Sequence, residues 1–214
     1  MLKGILQDKF FYCNHLGASE RDEQDIMSFV VCRGPGLERY LRYAAFPEED
    51  RGEMRTYIVR DKETKALAGY FSLKAGMIST DEHEDYEYDM ETGEIVIDPE
   101  TGEKKKRRVF KTIPGVELAN FAVNDAYIDD NPEMQGMGVA LFNDFVLPLV
   151  NQVSETIGVK MLYIFALPFD TLIDRYSKYY GFTRLDPVAE ENLHRRLKPE
   201  YDDYCKFMYR KLKQ

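Results

Sequence analysis

Gln135-Gly136-Met137-Gly138-Val139-Ala140 is the stretch on which the fold turns. Before it, residues 116–123 (Val-Glu-Leu-Ala-Asn-Phe-Ala-Val) alternate as a half-buried strand does. After it, Phe142, Phe145, Val146, Leu149, Val150 and Val153 recur at helical spacing and mark one apolar face. The stretch therefore reads as a glycine-bearing loop between a strand and the first turn of a helix. Such a loop offers unspent backbone N–H groups and the positive end of a helix dipole, which suits a phosphate or diphosphate. Gly136 and Gly138 let the main chain approach an anion with no Cβ in the way. A P-loop would require Gly-Lys-Ser/Thr, and a dinucleotide fingerprint would require a third glycine where Leu141 stands.

Downstream, residues 159–167 form an apolar strand, and Pro168-Phe169-Asp170 opens a second helix with Asp170 placed as its N-cap. That helix runs to Tyr176-Ser177-Lys178-Tyr179-Tyr180-Gly181-Phe182, with Gly181 as its terminal glycine. Gln135, Gly138 and Ala140 fit a Gln/Arg-x-x-Gly-x-Gly/Ala pattern. Together with the strand, helix and Gly-Phe order that follows, this resembles the GNAT superfamily of N-acetyltransferases. Residues 32–41, from Cys32 to Leu41, are similar to a helix start found in the branch that includes toxin–antitoxin acetyltransferases, with Arg33, Glu38 and Tyr40 at altered positions.

The resemblance implies an α/β (α+β) fold of the GNAT type: a mixed central sheet flanked by helices, in one domain over 1–214. It also implies acetyl-CoA as acyl donor and no metal. Pantetheine would run beside the main chain of Phe121, Ala122 and Val123. The diphosphate would rest on amides of Gln135, Gly136, Met137, Gly138, Val139 and Ala140, and Asp170 and Tyr179 are expected on the coenzyme side.

Composition sets outer bounds. At 214 residues and 25.0 kDa, with 44% hydrophobic and 31% charged residues, the chain suits one soluble globular domain. No apolar run reaches membrane-spanning length, and no secretory core follows Met1. Cys13, Cys32 and Cys205 cannot all pair and read as reduced packing residues. A cytoplasmic protein is expected. The net charge of −9 disfavours a polyanion and favours a cationic amine.

Ser19-Glu20-Arg21-Asp22 suggests a capping box, Gly34-Pro35-Gly36 a break, and residues 38–45 a helix. Residues 56–60 and 66–73 read as a hairpin around the polar turn 61–65. Residues 79–114 are an inserted hairpin or flap. Acids crowd 81–91, the basic run 104–108 follows, and two Glu-Thr-Gly-Glu turns start at Glu91 and Glu100. A second insertion, 128–133, lengthens the approach to the loop, and Pro148 is expected to bend the helix after it. A charged segment over 190–199 precedes a closing strand within 204–212.

Acyl transfer to an amine needs a base and a proton for the departing thiolate. A lysine-like amine has a pKa of about 10.4, so deprotonating it at neutral pH costs roughly 4–5 kcal/mol. Glu117, on the strand leading to the loop, is the candidate base. Tyr176 is the candidate acid, although Ser177 holds the place four before Gly181 where the family carries its tyrosine; Tyr179 and Tyr180 are alternatives. His83-Glu84 and the Cys13/His15 pair are too sparse for a metal site. The acceptor is expected to be a primary amine of a small molecule or protein. Aminoacyl-tRNA is the rival acceptor, a non-catalytic acyl-CoA sensor is a rival of another class, and a homodimer is compatible with both.

Overall fold

The computed structural model describes residues 6–32, 34–197 and 204–212, with the backbone alone at 6, 80–83, 110 and 111. Arg33, the end of the charged segment at 198–199, and Lys213 lie outside them. Eight strands form one mixed sheet in the order β1-β2-β3-β4-β5-β6-β8-β7. They are β1 Leu6–Gln7, β2 Phe11–His15, β3 Arg55–Asp61, β4 Leu67–Tyr86, β5 Lys106–Val123, β6 Met161–Ala166, β7 Thr183–Arg184 and β8 Lys206–Lys211. Every pairing is antiparallel except β5–β6. The crossover between those two parallel strands is the glycine loop and the long helix after it.

One face of the sheet carries the largest core. Phe71, Leu73, Val116, Leu118, Leu162 and Ile164 meet Leu141, Phe142, Phe145, Val146, Leu149 and Val150 from the crossover helix, and Ile173, Tyr180 and Phe182 from α7 Asp170–Tyr180 and the turn after it. The crossover rod consists of α5 Gly138–Leu141, a π turn Phe142–Val146 and α6 Leu147–Ile157. Pro148 has no N–H to bond four residues back. The π turn just before it spends that step on a wider hydrogen-bond ring. The same device recurs in the first helical arm, where α2 Pro35–Arg39, a π turn Tyr40–Ala44 and α3 Ala45–Arg51 precede and contain Pro47. That arm is six residues longer at its end than the sequence pattern predicts.

The opposite face holds two separate cores. Leu16, Ile26, Phe29, Leu41, Ala45, Ile58, Tyr70 and Ala122 close one half under the N-terminal helices. Ile78, Met161, Tyr163, Phe165, Leu193 and Phe207 close the other under α8 Pro187–His194. This helix lies in the segment read only as charged. Its Glu190 is buried because Arg184 pairs with it at 3.0 Å and the Phe207 N–H donates to it at 2.9 Å.

The expected capping box is only half formed. α1 Asp22–Asp25 is preceded by Arg21, and Asp22 Oδ2 reaches back to the N–H groups of Gly17 at 2.8 Å and Ser19 at 3.4 Å. Asp22 is drawn inward by Arg60 of β3, whose Nη2 lies 2.7 Å from Asp22 Oδ1 while Nη1 lies 2.6 Å from Asp25 Oδ2. The side chains of Arg60 and Asp22 are only 4% and 2% exposed. The inserted segment is a direct extension of β4 and β5, which pair from Gly69/Val123 out to Tyr86/Lys106.

Removing one member of the buried ion cluster leaves the others uncompensated, which typically costs 3–5 kcal/mol. Arg60→Ala is therefore expected to lose about 3 kcal/mol or more, read as a lower urea midpoint. Arg21→Ala, which removes a mostly exposed partner of Asp25, is expected to change stability by less than about 1 kcal/mol.

Candidate active site

The site begins where the sheet stops being a sheet. β5 and β6 pair only at Gly115/Met161, Val116/Leu162 and Glu117/Tyr163. Past Glu117, residues 118–123 of β5 and 164–166 of β6 diverge with no ladder between them. On its other edge β5 loses register against β4: Ser72 faces Asn120 and Leu73 faces Leu118, so Ala119 is an extra residue. A bulge of this kind bends its strand and increases the local twist. Phe121, Ala122 and Val123, the expected pantetheine backbone, thus line the β5 side of an open wedge.

At the far end of β5 the chain turns through α4 Asp125–Asp130 and a 3-10 turn Pro132–Met134, the second insertion, into the glycine loop. Gly136 sits at φ +87°, a left-handed conformation that a residue with a Cβ adopts only under strain. Among the described residues the N–H groups of Gln135, Met137 and Val139 bond within the loop, to Pro132, Met134 and Gly136 carbonyls. Those of Gly136, Gly138 and Ala140 have no protein acceptor there. These are the unspent donors of a helix start, aligned with its dipole. A cavity of about 430 Å3 borders the loop on the side of β1–β2. Three acids, Asp8, Glu133 and Asp144, line it against one base, Lys9, so that side of the loop does not suit a diphosphate.

Glu117 lies on the face that holds the two smaller cores, and register explains its surroundings. Thr56, Ser72 and Asn120 stand side by side on β3, β4 and β5, and Lys74, Glu117 and Tyr163 stand one step further along on β4, β5 and β6. These two rows make a polar belt between the apolar clusters. Thr56 Oγ1 lies 2.9 Å from Ser72 Oγ and 3.1 Å from the Tyr40 hydroxyl. Tyr40 also donates to Met54 Sδ at 3.2 Å, and Asn120 Nδ2 to the same sulfur at 3.6 Å. Burial raises the Tyr40 hydroxyl, with a further contribution from the Glu48 charge. Glu117 is partly exposed and level with Tyr163 of β6, whose hydroxyl is raised by burial and by the Glu117 charge.

α7 Asp170–Tyr180 supplies the remaining candidates. Asp170 is its first helical residue rather than the cap, which is Phe169 in an extended conformation with no side-chain bond. A carboxylate one step inside the helix still meets the positive end of the dipole, so the sequence signal was real but one residue out. Gly181 ends the helix at φ +70°, as expected. Tyr176 packs its ring between Tyr180 at 5.4 Å and Phe182 at 5.8 Å, and burial raises its hydroxyl well above the usual phenol range. Ser177 is exposed, and Tyr179 is half-exposed with Lys178 above its ring at 5.0 Å. Tyr180 fills the space under the loop: a Cβ on Gly138 would lie 3.2 Å from its hydroxyl.

The structure thus brings the loop and the wedge together at the two ends of one crossover, with Glu117 at the wedge's apex. It leaves Tyr179 and Ser177 on the outer surface. Sequence reading missed Tyr40, Thr56, Ser72 and Tyr163, because their meeting depends on register between distant strands. Gly76 and Gly115, two glycines inside strands, were the available signal. Among the described residues no group of three or more His, Cys, Asp or Glu could hold a metal, and no helix is long and apolar enough to cross a membrane.

No family model matches the chain. Solved structures do. A tyrosine mutant of the KacT toxin aligns over 95% of this chain and 95% of its own, at TM-score 0.60 and 16% identity. AtaT complexed with acetyl-methionyl-tRNA aligns over 92% and 93%, at 0.56 and 17%. AtaTR bound with acetyl-CoA aligns over 95% and 94%, at 0.55 and 16%. The chain has the GNAT fold, of the form seen in these toxins.

Proposed function

We propose that this protein is an N-acetyltransferase that carries an acetyl group from acetyl-CoA to a primary amine by direct attack within a ternary complex. The observation that carries the reading is the wedge between β5 and β6, with unspent loop amides at its wide end and Glu117 at its apex. Main-chain groups of 121–123 would pair with the pantetheine amides as a missing strand would, and the amides of Gly136, Gly138 and Ala140 would hold the diphosphate. The similar fold bound to acetyl-CoA supports the choice of donor.

Glu117 takes the proton from the acceptor's ammonium, a step worth on the order of 10²–10⁴ in rate when the base is well placed. The amine then attacks the thioester carbonyl, the C–N bond forms, the C–S bond breaks with its electron pair leaving on sulfur, and the nitrogen's remaining surplus proton passes to solvent. Tyr176 is the proposed donor to that thiolate. Its raised hydroxyl keeps its proton throughout the working pH range. The acceptor's positive charge is met by Glu117 and by Glu48, whose Oε2 is buried with no hydrogen-bond partner among the described residues.

A second reading makes the acceptor the amine of an aminoacyl-tRNA. The AtaT complex with acetyl-methionyl-tRNA favours it. The two readings share the coenzyme site and the base, and they differ in whether phosphates contribute to binding.

In a thiol-release assay over an amine panel, Glu117→Gln is expected to lower kcat by 10²-fold or more with the acetyl-CoA KM within about twofold. Tyr176→Phe is expected to lower kcat by about tenfold or more. Full activity in both would reject these roles. Gly136→Ala strains the left-handed loop, and calorimetry should show acetyl-CoA affinity falling by about tenfold; unchanged affinity would remove the loop from the coenzyme site. If tRNA is the acceptor, its binding falls steeply between 50 and 200 mM salt, by about 10³-fold or more for six or more phosphate contacts. A flat salt response would leave the small-amine reading.

A further inference from the structure

A methionine sulfur is a weak acceptor, so a polar donor aimed at one gains less than it would from an oxygen. Met54 receives two such donors. The Tyr40 hydroxyl donates to its Sδ at 3.2 Å, and Asn120 Nδ2 donates at 3.6 Å. They come from separate elements, Tyr40 from the π turn of the N-terminal arm and Asn120 from β5. Both are held in place. Tyr40 stacks on the buried Tyr70 ring with centroids 6.2 Å apart, and Asn120 stands opposite Ser72 in the β4–β5 ladder.

Behind Tyr40 the hydroxyls form a chain. Thr56 Oγ1 lies 3.1 Å from the Tyr40 oxygen and 2.9 Å from Ser72 Oγ, and Thr56 and Ser72 are fully buried. With the Tyr40 proton on sulfur, Thr56 donates to Tyr40 and Ser72 donates to Thr56. Each hydroxyl then gives one proton, and the chain ends at the sulfur. Tyr40, Met54 and Asn120, the residues at that end, are all partly exposed.

The sulfur is the movable part. Met54 lies between Gly52, the left-handed end of α3, and Arg55, the first residue of β3, outside any ladder. An unbranched thioether has several rotamers open to it, whereas its two donors stay where the fold puts them. When the sulfur swings aside, an O–H and an N–H converge on the space it leaves. That space is on the Glu117 face of the sheet. The Ser72–Asn120 row and the Lys74–Glu117 row are two β4 residues apart, and at about 3.3 Å per residue that is roughly 7 Å. Arg55, next in the chain, is already paired with Glu49 at 2.9 Å, and the two converging donors are neutral. They suit a carbonyl or hydroxyl oxygen rather than a carboxylate.

We propose that Tyr40 and Asn120 are specificity-determining residues of the acceptor site: they hold a neutral oxygen that the acceptor carries near its amine, and Met54 fills its place until it arrives. This rests on the reading of the Glu117 face as the acceptor side.

The test compares 2-aminoethanol with propylamine, in which a methyl group replaces the hydroxyl. In protein labelled with methyl-13C methionine, the Met54 methyl signal is assigned by its loss in Met54→Leu. It should shift with 2-aminoethanol and stay in place over the same range of propylamine. With acetyl-CoA, Tyr40→Phe and Asn120→Leu should each lower the ratio of kcat/KM for 2-aminoethanol over propylamine by about fivefold or more. Propylamine itself should stay within about twofold of the parent. The ratio cancels the difference in basicity between the amines and any partial loss of fold. Met54→Leu, which removes the stand-in acceptor and keeps the volume, should raise it. An unmoved Met54 signal, or an unchanged ratio in both Tyr40→Phe and Asn120→Leu, overturns the proposal. If the signal moves but the parent acetylates neither amine, the donors do bind an oxygen but the transferase reading fails, and the acceptor role goes with it.

Discussion

A sheet that parts in its middle leaves main-chain donors and acceptors facing a gap, and buried groups of that kind must be met by something. Everything else in this fold serves to hold that gap open. The left half of the sheet is fastened to the N-terminal helices by the Arg60–Asp22–Asp25 cluster and the core around Phe29 and Tyr70. The right half is fastened to α8 through Glu190 and the core around Phe165 and Phe207. The crossover rod packs under both from the other face. Each half is anchored on its own, so the strands past Glu117 do not zip together. The Ala119 bulge then bends β5 and increases its twist along the same stretch.

That arrangement explains which parts could be read from the chain. The loop, the rod, β6 and α7 are local: their periods, the left-handed glycines Gly136 and Gly181 and the run of 142–153 write themselves within a few residues. The polar belt is not local. Glu117 and Tyr163 are level only because β5 and β6 are parallel and start where they do, and no window short of the whole crossover contains both. α8 was hidden for a different reason. Its burial depends on Glu190 finding Arg184 and the Phe207 N–H, so a charged sequence passes as a solvated one. The two π turns were hidden behind prolines that usually signal a bend. Here the wider turn absorbs the missing hydrogen bond and the rod continues.

The repeated Glu-Thr-Gly-Glu units show the same contrast. Read as turns, they are turns: Asp89 and Asp98 each accept two N–H groups from the residues that follow, and Gly93 and Gly102 sit at φ +72° and +70°. What the sequence did not reveal is that Glu87 bonds to both Val96 and Lys105 through the main chain, joining the two turns into one three-legged tip. Met90 at that tip is 97% exposed.

Charge illustrates why composition is a weak guide to the acceptor. Residues 79–114 hold eleven acids against six bases and so supply five of the nine net negative charges. In the stem these pair across the ladder, Glu84 with Lys106 and Glu87 with Lys105, both at 3.1 Å. At the tip no ion pair joins them among the described residues, and β4 runs twelve residues from Lys74, the neighbour of Glu117, to Tyr86. At about 3.3 Å per residue that is roughly 40 Å, against a screening length of about 8 Å at physiological salt. Charge so far away has almost no influence on what approaches Glu117. More than half of the acidity that seems to exclude a polyanion therefore belongs to the flap, and composition says little about the surface immediately around the belt.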